Sequence, residues 1–141
     1  MNLPISRQHW DMLLNELEQA RCHLHMLTYR TLLERLQLPS PAMQKLVAAL
    51  EHLAVLDDKA DHPLRSALVV SQSAIRMPRP GFFECLECLG RFSGPPDSVA
   101  YASWHASEVV RVFEYKYPEE VYCARCVRMS SIRGGNNLAV Y

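Results

Sequence analysis

The chain has 141 residues, 49% hydrophobic and 21% charged, and its Lys and Arg balance its Asp and Glu to a formal net charge of zero. That length suits one domain or two very small ones, and no run approaches the roughly 18 apolar residues of a membrane span. Zero net charge argues against indiscriminate nucleic-acid binding, and the N-terminal MNLPISRQHW has neither the basic start nor the apolar core of a signal peptide, so a cytoplasmic protein is expected.

Ser6 is a good N-cap, and Trp10, Leu13, Leu14, Leu17, Leu24 and Leu27 recur at helical spacing, which predicts a helix over residues 7 to 27. His9, Cys22, His23 and His25 lie on it. Cys22 and His25 are three apart, a spacing that two metal ligands can use, but solvated or partly buried histidine is the stronger reading. Thr28 is placed to cap a short helix carrying Leu32, Leu33 and Leu36, which Pro39 stops. Ser40-Pro41 then restarts a helix, with a capping residue followed by proline at the first position. Met43, Leu46, Val47, Leu50, Leu53 and Ala54 give that helix an apolar stripe to about Leu56, before the polar Asp57-Asp-Lys-Ala-Asp61. Ala67-Leu-Val-Val70 reads as a short buried strand.

Helix, short helix, tight turn, helix, strand and then an Arg- and Pro-bearing loop from Gln72 to Pro80 resembles a winged helix-turn-helix over residues 7 to 80. The resemblance implies that the helix starting at Pro41 is the recognition element. Its Ser40, Gln44 and Lys45 would meet bases or phosphates of double-stranded DNA, and Arg76 and Arg79 would sit on the wing. Lys45 is the one basic residue near the start of that helix, and many winged helices dock proteins instead. Arg65, Arg76 and Arg79, and later Arg125, Arg128 and Arg133, occupy stretches without acidic residues, so each set makes either a positive patch or a solvated surface.

A second resemblance runs from about residue 28 to 115. Thr28-Tyr-Arg, Leu38-Pro, Pro63-Leu-Arg-Ser-Ala-Leu-Val-Val-Ser71, Pro80-Gly-Phe-Phe83, Leu89-Gly-Arg-Phe92 and His105-Ala-Ser-Glu108 resemble a small bacterial module that implies no activity. The first half is also partly similar to the winged-helix half of alkyltransferase-like DNA proteins. Where an alkyltransferase carries a reactive cysteine in Pro-Cys-His-Arg, this chain reads Pro63-Leu64-Arg65-Ser66, so methyl transfer is not supported.

Five cysteines cannot all pair internally, and a reducing compartment favours thiols or metal ligation over disulfides. Cys85 and Cys88, and again Cys123 and Cys126, form Cys-x-x-Cys pairs. Together they supply the four thiolates of a closed, structural zinc site, leaving Cys22 free. Gly90 follows the first pair as in a zinc knuckle, and the C-terminal half resembles a split zinc ribbon, although residues 89 to 122 separate the pairs. The competing reading places Phe83, Leu86, Leu89 and Phe92 on a helix opened by Pro80-Gly81, with the cysteines as core residues. Ser103 to Tyr115 is compatible with a helix that turns Trp104, Val109, Val112 and Phe113 inward. His105 and Glu108 form a polar pair on it, weak as an acid–base dyad.

The expected fold is mainly α, with a winged-helix-like domain over residues 1 to 80 and a small cysteine-pinned region over residues 81 to 141. The expected function is a cytosolic regulatory or adaptor protein, DNA-associated and zinc-containing, rather than an enzyme. The alternative is a protein-interaction subunit docking through Val109 to Tyr122, with Tyr115, Tyr117 and Tyr122.

Overall fold

The computed structural model describes residues 3–72, 76–95 and 98–118. Five α-helices dominate it: α1 (Arg7–Cys22), α2 (Tyr29–Leu36), α3 (Ala42–Lys59), α4 (Pro80–Leu89) and α5 (Val99–Glu114). Two short strands, β1 (Leu27–Thr28) and β2 (Val69–Val70), pair in parallel with Leu27 opposite Val69 and Thr28 opposite Val70. No described helix is long and apolar enough to cross a membrane.

Ser6 caps α1 as expected, its side chain accepting the His9 N–H. The helix ends five residues earlier than its apolar spacing suggests. His25 N–H returns to the Ala20 carbonyl at 3.1 Å, and Leu24 takes the left-handed conformation at φ 58°. This closing turn leaves Leu24 66% exposed and frees Leu27 to enter β1. Thr28 caps α2 through the Thr31 N–H, again as expected.

At the next helix the expected cap is absent. Pro41 itself holds the N-cap position of α3, with no side-chain hydrogen bond, so Ser40 does not cap it. The far end of α3 also differs, because it runs on through the polar stretch to Lys59 and buries Asp57. The expected strand over residues 67 to 70 is a 3-10 turn (Arg65–Leu68) followed by only two strand residues.

That segment is the centre of the molecule. Every residue from Leu64 to Val70 is buried, with Leu64, Ala67, Leu68, Val69 and Val70 fully so. α3 and α5 lie against it, and α1 closes a third side. α4 is the helix that Phe83 and Leu86 suggested. Phe82, Phe83 and Leu86 point inward, and the Phe83 and Tyr101 rings meet edge to face at 5.1 Å. One cluster of buried side chains runs from Ile5 to Tyr117, so the core continues across residue 80.

Leu17 lies in that cluster and is fully buried. Leu17→Ala should therefore cost about 2–5 kcal/mol in a urea titration, whereas Leu24→Ala should change stability by less than about 0.5 kcal/mol. Equal effects would mean that the α1 stripe is not the buried face.

Candidate nucleic-acid interface

α2 and α3 are the pair expected to form a helix-turn-helix, and the open end of that pair is the start of α3. Ser40 and Gln44 are exposed there and Lys45 is partly so. The Lys45 N–H closes the first turn on the Pro41 carbonyl at 3.1 Å. Beyond this turn α3 is not free, because α4 packs on it. A Cβ added to Gly81 of α4 would stand 3.1 Å from Glu51 Oε2 of α3, which measures how closely the two approach. Beside that contact runs an open groove of about 660 Å³, whose lining includes Ala48, Glu51, His52, Glu84, Cys85 and Cys88. Its charge is acidic. Burial, and then the neighbouring Glu84, push the Glu51 carboxyl above its ordinary value. Phosphates are repelled from such a groove.

The two candidate wing arginines differ in how firmly they are held. Arg79 is exposed and is the N-cap residue of α4. Its N–H donates to Tyr29 Oη at 2.9 Å, and its guanidinium carbon lies 5.9 Å from the Tyr29 ring centre. The same narrow cleft brings Arg79 next to Val47 of α3. Arg76 is exposed in the left-handed conformation, on a loop closed by a 2.9 Å bond from Ser71 N–H to the Met77 carbonyl. Tyr29 carried no functional expectation, yet it holds Arg79 beside α3. Burial raises its phenol pKa, and the Arg79 hydrogen bond and charge oppose that rise.

Arg65 does not belong to this surface. It is buried and ion-paired with Asp57, with Nη2 to Oδ1 at 2.7 Å and Nε to Oδ2 at 3.2 Å. The Tyr117 ring covers its other side at 4.4 Å. The patch that joined Arg65 to Arg76 and Arg79 is thus corrected to the two loop arginines alone.

Cys85 and Cys88 are free thiols one turn apart on α4, Cys85 partly buried and Cys88 exposed. Burial, followed by the charges of Glu51, Cys88 and Asp58, pushes the Cys85 thiol up to about 11. Gly90 is the C-terminal cap of α4 at φ 74°, with the Arg91 N–H returning to the Leu86 carbonyl at 3.0 Å. Its glycine is explained by that helix end. Cys123 and Cys126 lie outside the described residues, as do Tyr122, Arg125, Arg128 and Arg133. Among the described residues no group of three or more His, Cys, Asp and Glu side chains is placed to hold a metal ion. Cys22 is disulfide-bonded, contrary to the expectation that it stays free.

His105 and Glu108 face inward and serve the main chain. His105 Nε2 donates to the Ala67 carbonyl at 2.8 Å. Glu108 Oε2 accepts the Leu64 N–H at 2.7 Å, while Oε1 accepts from Arg111 at 2.8 Å. Neither faces solvent, so the pair is structural. The described part of the proposed docking stretch is divided: Val109, Val112 and Tyr117 are buried, with Tyr117 Oη donating to the Pro63 carbonyl at 2.8 Å, while Val110, Arg111, Glu114, Lys116 and Pro118 are exposed. A partner would meet Val110, Glu114 and Lys116 there.

Burial holds the His105 pKa below its ordinary 6.5, against the raising effects of the Ala67 carbonyl and Glu108. The unfolded chain therefore binds the extra proton first, so stability is full above about pH 6.5 and falls as the pH drops toward the folded-state value. Urea titrations between about pH 5 and 7 should show this slope, and His105→Gln should flatten it. An unchanged slope in the variant would assign the acid sensitivity to other groups.

No protein-family model, curated protein or solved structure matches this chain, so its own geometry is what bears on its function.

Proposed function

We propose that this chain is a small regulatory or adaptor protein that rests on double-stranded DNA through the open end of α3 and the Arg76–Arg79 loop. The observation that carries this reading is the Tyr29–Arg79 contact, which holds Arg79 on the α3 side of its loop, in a cleft lined by Val47, Leu50 and Glu51. Lys45, Arg76 and Arg79 contact phosphates, while Ser40 and Gln44 supply hydrogen-bonding groups at the same end. The acidic groove between α3 and α4 keeps the helix from lying deeply in the major groove. Binding is therefore shallow, tolerant of sequence and suited to an adaptor.

Three neutralised phosphates set a low salt dependence, with log K falling against log[salt] at a slope of about −2.7. Fluorescence anisotropy on a labelled duplex between about 50 and 200 mM salt measures it. Lys45→Glu combined with Arg79→Glu should remove binding without lowering the melting temperature, and Tyr29→Phe should weaken it less. Absence of binding by the wild-type chain at low salt would overturn the reading. The alternative is then a protein-interaction subunit, favoured by Val99 and Val110, which are 84% and 50% exposed on α5.

In the reduced chain, a structural zinc ion held by Cys85, Cys88, Cys123 and Cys126 completes the proposal and ties the C-terminal segment to α4. What supports it is that Cys85 and Cys88 are free, one turn apart and not packed in the core, so both can turn to one ion without unpacking Phe83 or Leu86. Four thiolates leave no position for a reacting water, so the role is structural. Because the Cys85 thiol must deprotonate from about 11, metal retention should fall steeply with acid. Elemental analysis of reduced, untagged protein should give about one zinc per chain, and Cys88→Ser should lose most of it. Well-folded reduced protein without zinc would remove this part of the proposal.

A further inference from the structure

The described cysteines are in two states. Cys85 and Cys88 on α4 are free thiols, while Cys22 at the end of α1 is disulfide-bonded. The chain has five cysteines, so the sulfur joined to Cys22 belongs to Cys123 or Cys126, the two that lie outside the described residues. A closed site of four thiolates needs both of those residues. The Cys22 disulfide and the zinc site therefore draw on the same sulfur, and one chain cannot hold both at once.

The surroundings of Cys22 hold it where the chain leaves α5. Its sulfur is 3.6 Å from Glu18 Oε2 and 3.7 Å from Arg21 Nη2. Arg21 donates twice to Glu18, at 2.9 and 2.6 Å, and its Nη1 extends to the Phe113 carbonyl at 3.4 Å. The last turn of α1 is thereby tied to the last turn of α5, from which the chain continues toward the second cysteine pair. Cys22 is also partly exposed, so a small thiol reagent reaches it. The zinc site anchors the carboxyl-terminal segment to α4, whereas the disulfide anchors it to α1.

We propose that Cys22 is a redox switch on the zinc site: oxidation joins it to Cys123 or Cys126, and the ion leaves. This rests on the zinc reading given above and is independent of the DNA reading. The oxidant is a low-molecular-weight disulfide such as oxidised glutathione. Cys22 attacks one glutathione sulfur and expels the other glutathione, which keeps the Cys22 proton. The thiolate of Cys123 or Cys126 then attacks the Cys22 sulfur of the mixed disulfide and expels the second glutathione as its thiolate. Each protein sulfur has lost one electron, and the glutathione disulfide has gained two. Three thiolates remain to the ion, and they take up protons as it dissociates. Excess thiol reverses both exchanges and restores the four ligands.

The test uses the full-length protein, reduced, loaded with zinc and assayed for metal before oxidised glutathione is added, with a coloured chelator reporting released ion. Zinc should appear as two protein thiols disappear, and peptide mapping should join Cys22 to Cys123 or Cys126. Cys22→Ser should hold as much zinc when reduced and release it about tenfold more slowly. Without Cys22, the ion is lost only through a bond between neighbours, Cys85 with Cys88 or Cys123 with Cys126. Equal release from both proteins, or a cross-link in the wild type confined to those neighbours, would overturn the switch and leave the zinc reading standing. Reduced protein that carries no zinc before oxidation would overturn both.

Discussion

The fold depends on seven consecutive residues, Leu64 to Val70, that run through the interior with only two of them in a strand pair. Main chain in such a place must find hydrogen bonds elsewhere, because each unpaired buried group costs on the order of 1–3 kcal/mol. Here the partners come from every side. Glu108 takes the Leu64 N–H, Asp57 the Arg65 N–H, and His105 meets the Ala67 carbonyl. Tyr117 reaches the Pro63 carbonyl just upstream, while Ser66 Oγ donates to the Leu50 carbonyl at 2.6 Å. Two carboxylates are thereby buried in one core. Each is tolerable because it is also charge-matched, Asp57 by Arg65 and Glu108 by Arg111, with Arg91 at 3.8 Å.

Local signals are legible in the sequence wherever they are sufficient. Ser6 and Thr28 cap helices because side chain and backbone are three residues apart, and the apolar periodicity of α1, α3 and α5 reports a face that packing then uses. What stays hidden depends on distant partners. Asp57 sits in an acidic run that reads as a solvated helix end, and nothing local shows that Arg65 will bury it. Glu108 and His105 look like an exposed polar pair until Leu64 and Ala67, 44 and 38 residues away, arrive to receive them. The end of α1 is hidden for a different reason: Leu24 continues the apolar rhythm yet adopts φ 58°, where leucine is rare.

The candidate site divides in the same way. Ser40, Gln44, Lys45, Arg76 and Arg79 can be proposed from helix order and charge, and all five are accessible at least in part. The packing of α4 against α3 cannot, since nothing local shows that Gly81 will come to lie beside Glu51. That contact separates this arrangement from a freely presented recognition helix. It leaves the first turn of α3 open and lays an acidic groove along the later turns, so α4 sets how deep a contact can be.

The buried segment also constrains the order in which the chain can mature. Its hydrogen-bond partners on and after α5 are the last described parts to be synthesised, with Tyr117 54 residues beyond Pro63. Until they emerge, the Leu64 amide and the carbonyls of Pro63 and Ala67 lack these partners. A nascent chain of α1 to α3 can form its local helices but cannot close around residues 64 to 70. The interior around residues 64 to 70 is thus completed only when α5, the last described helix, packs against it.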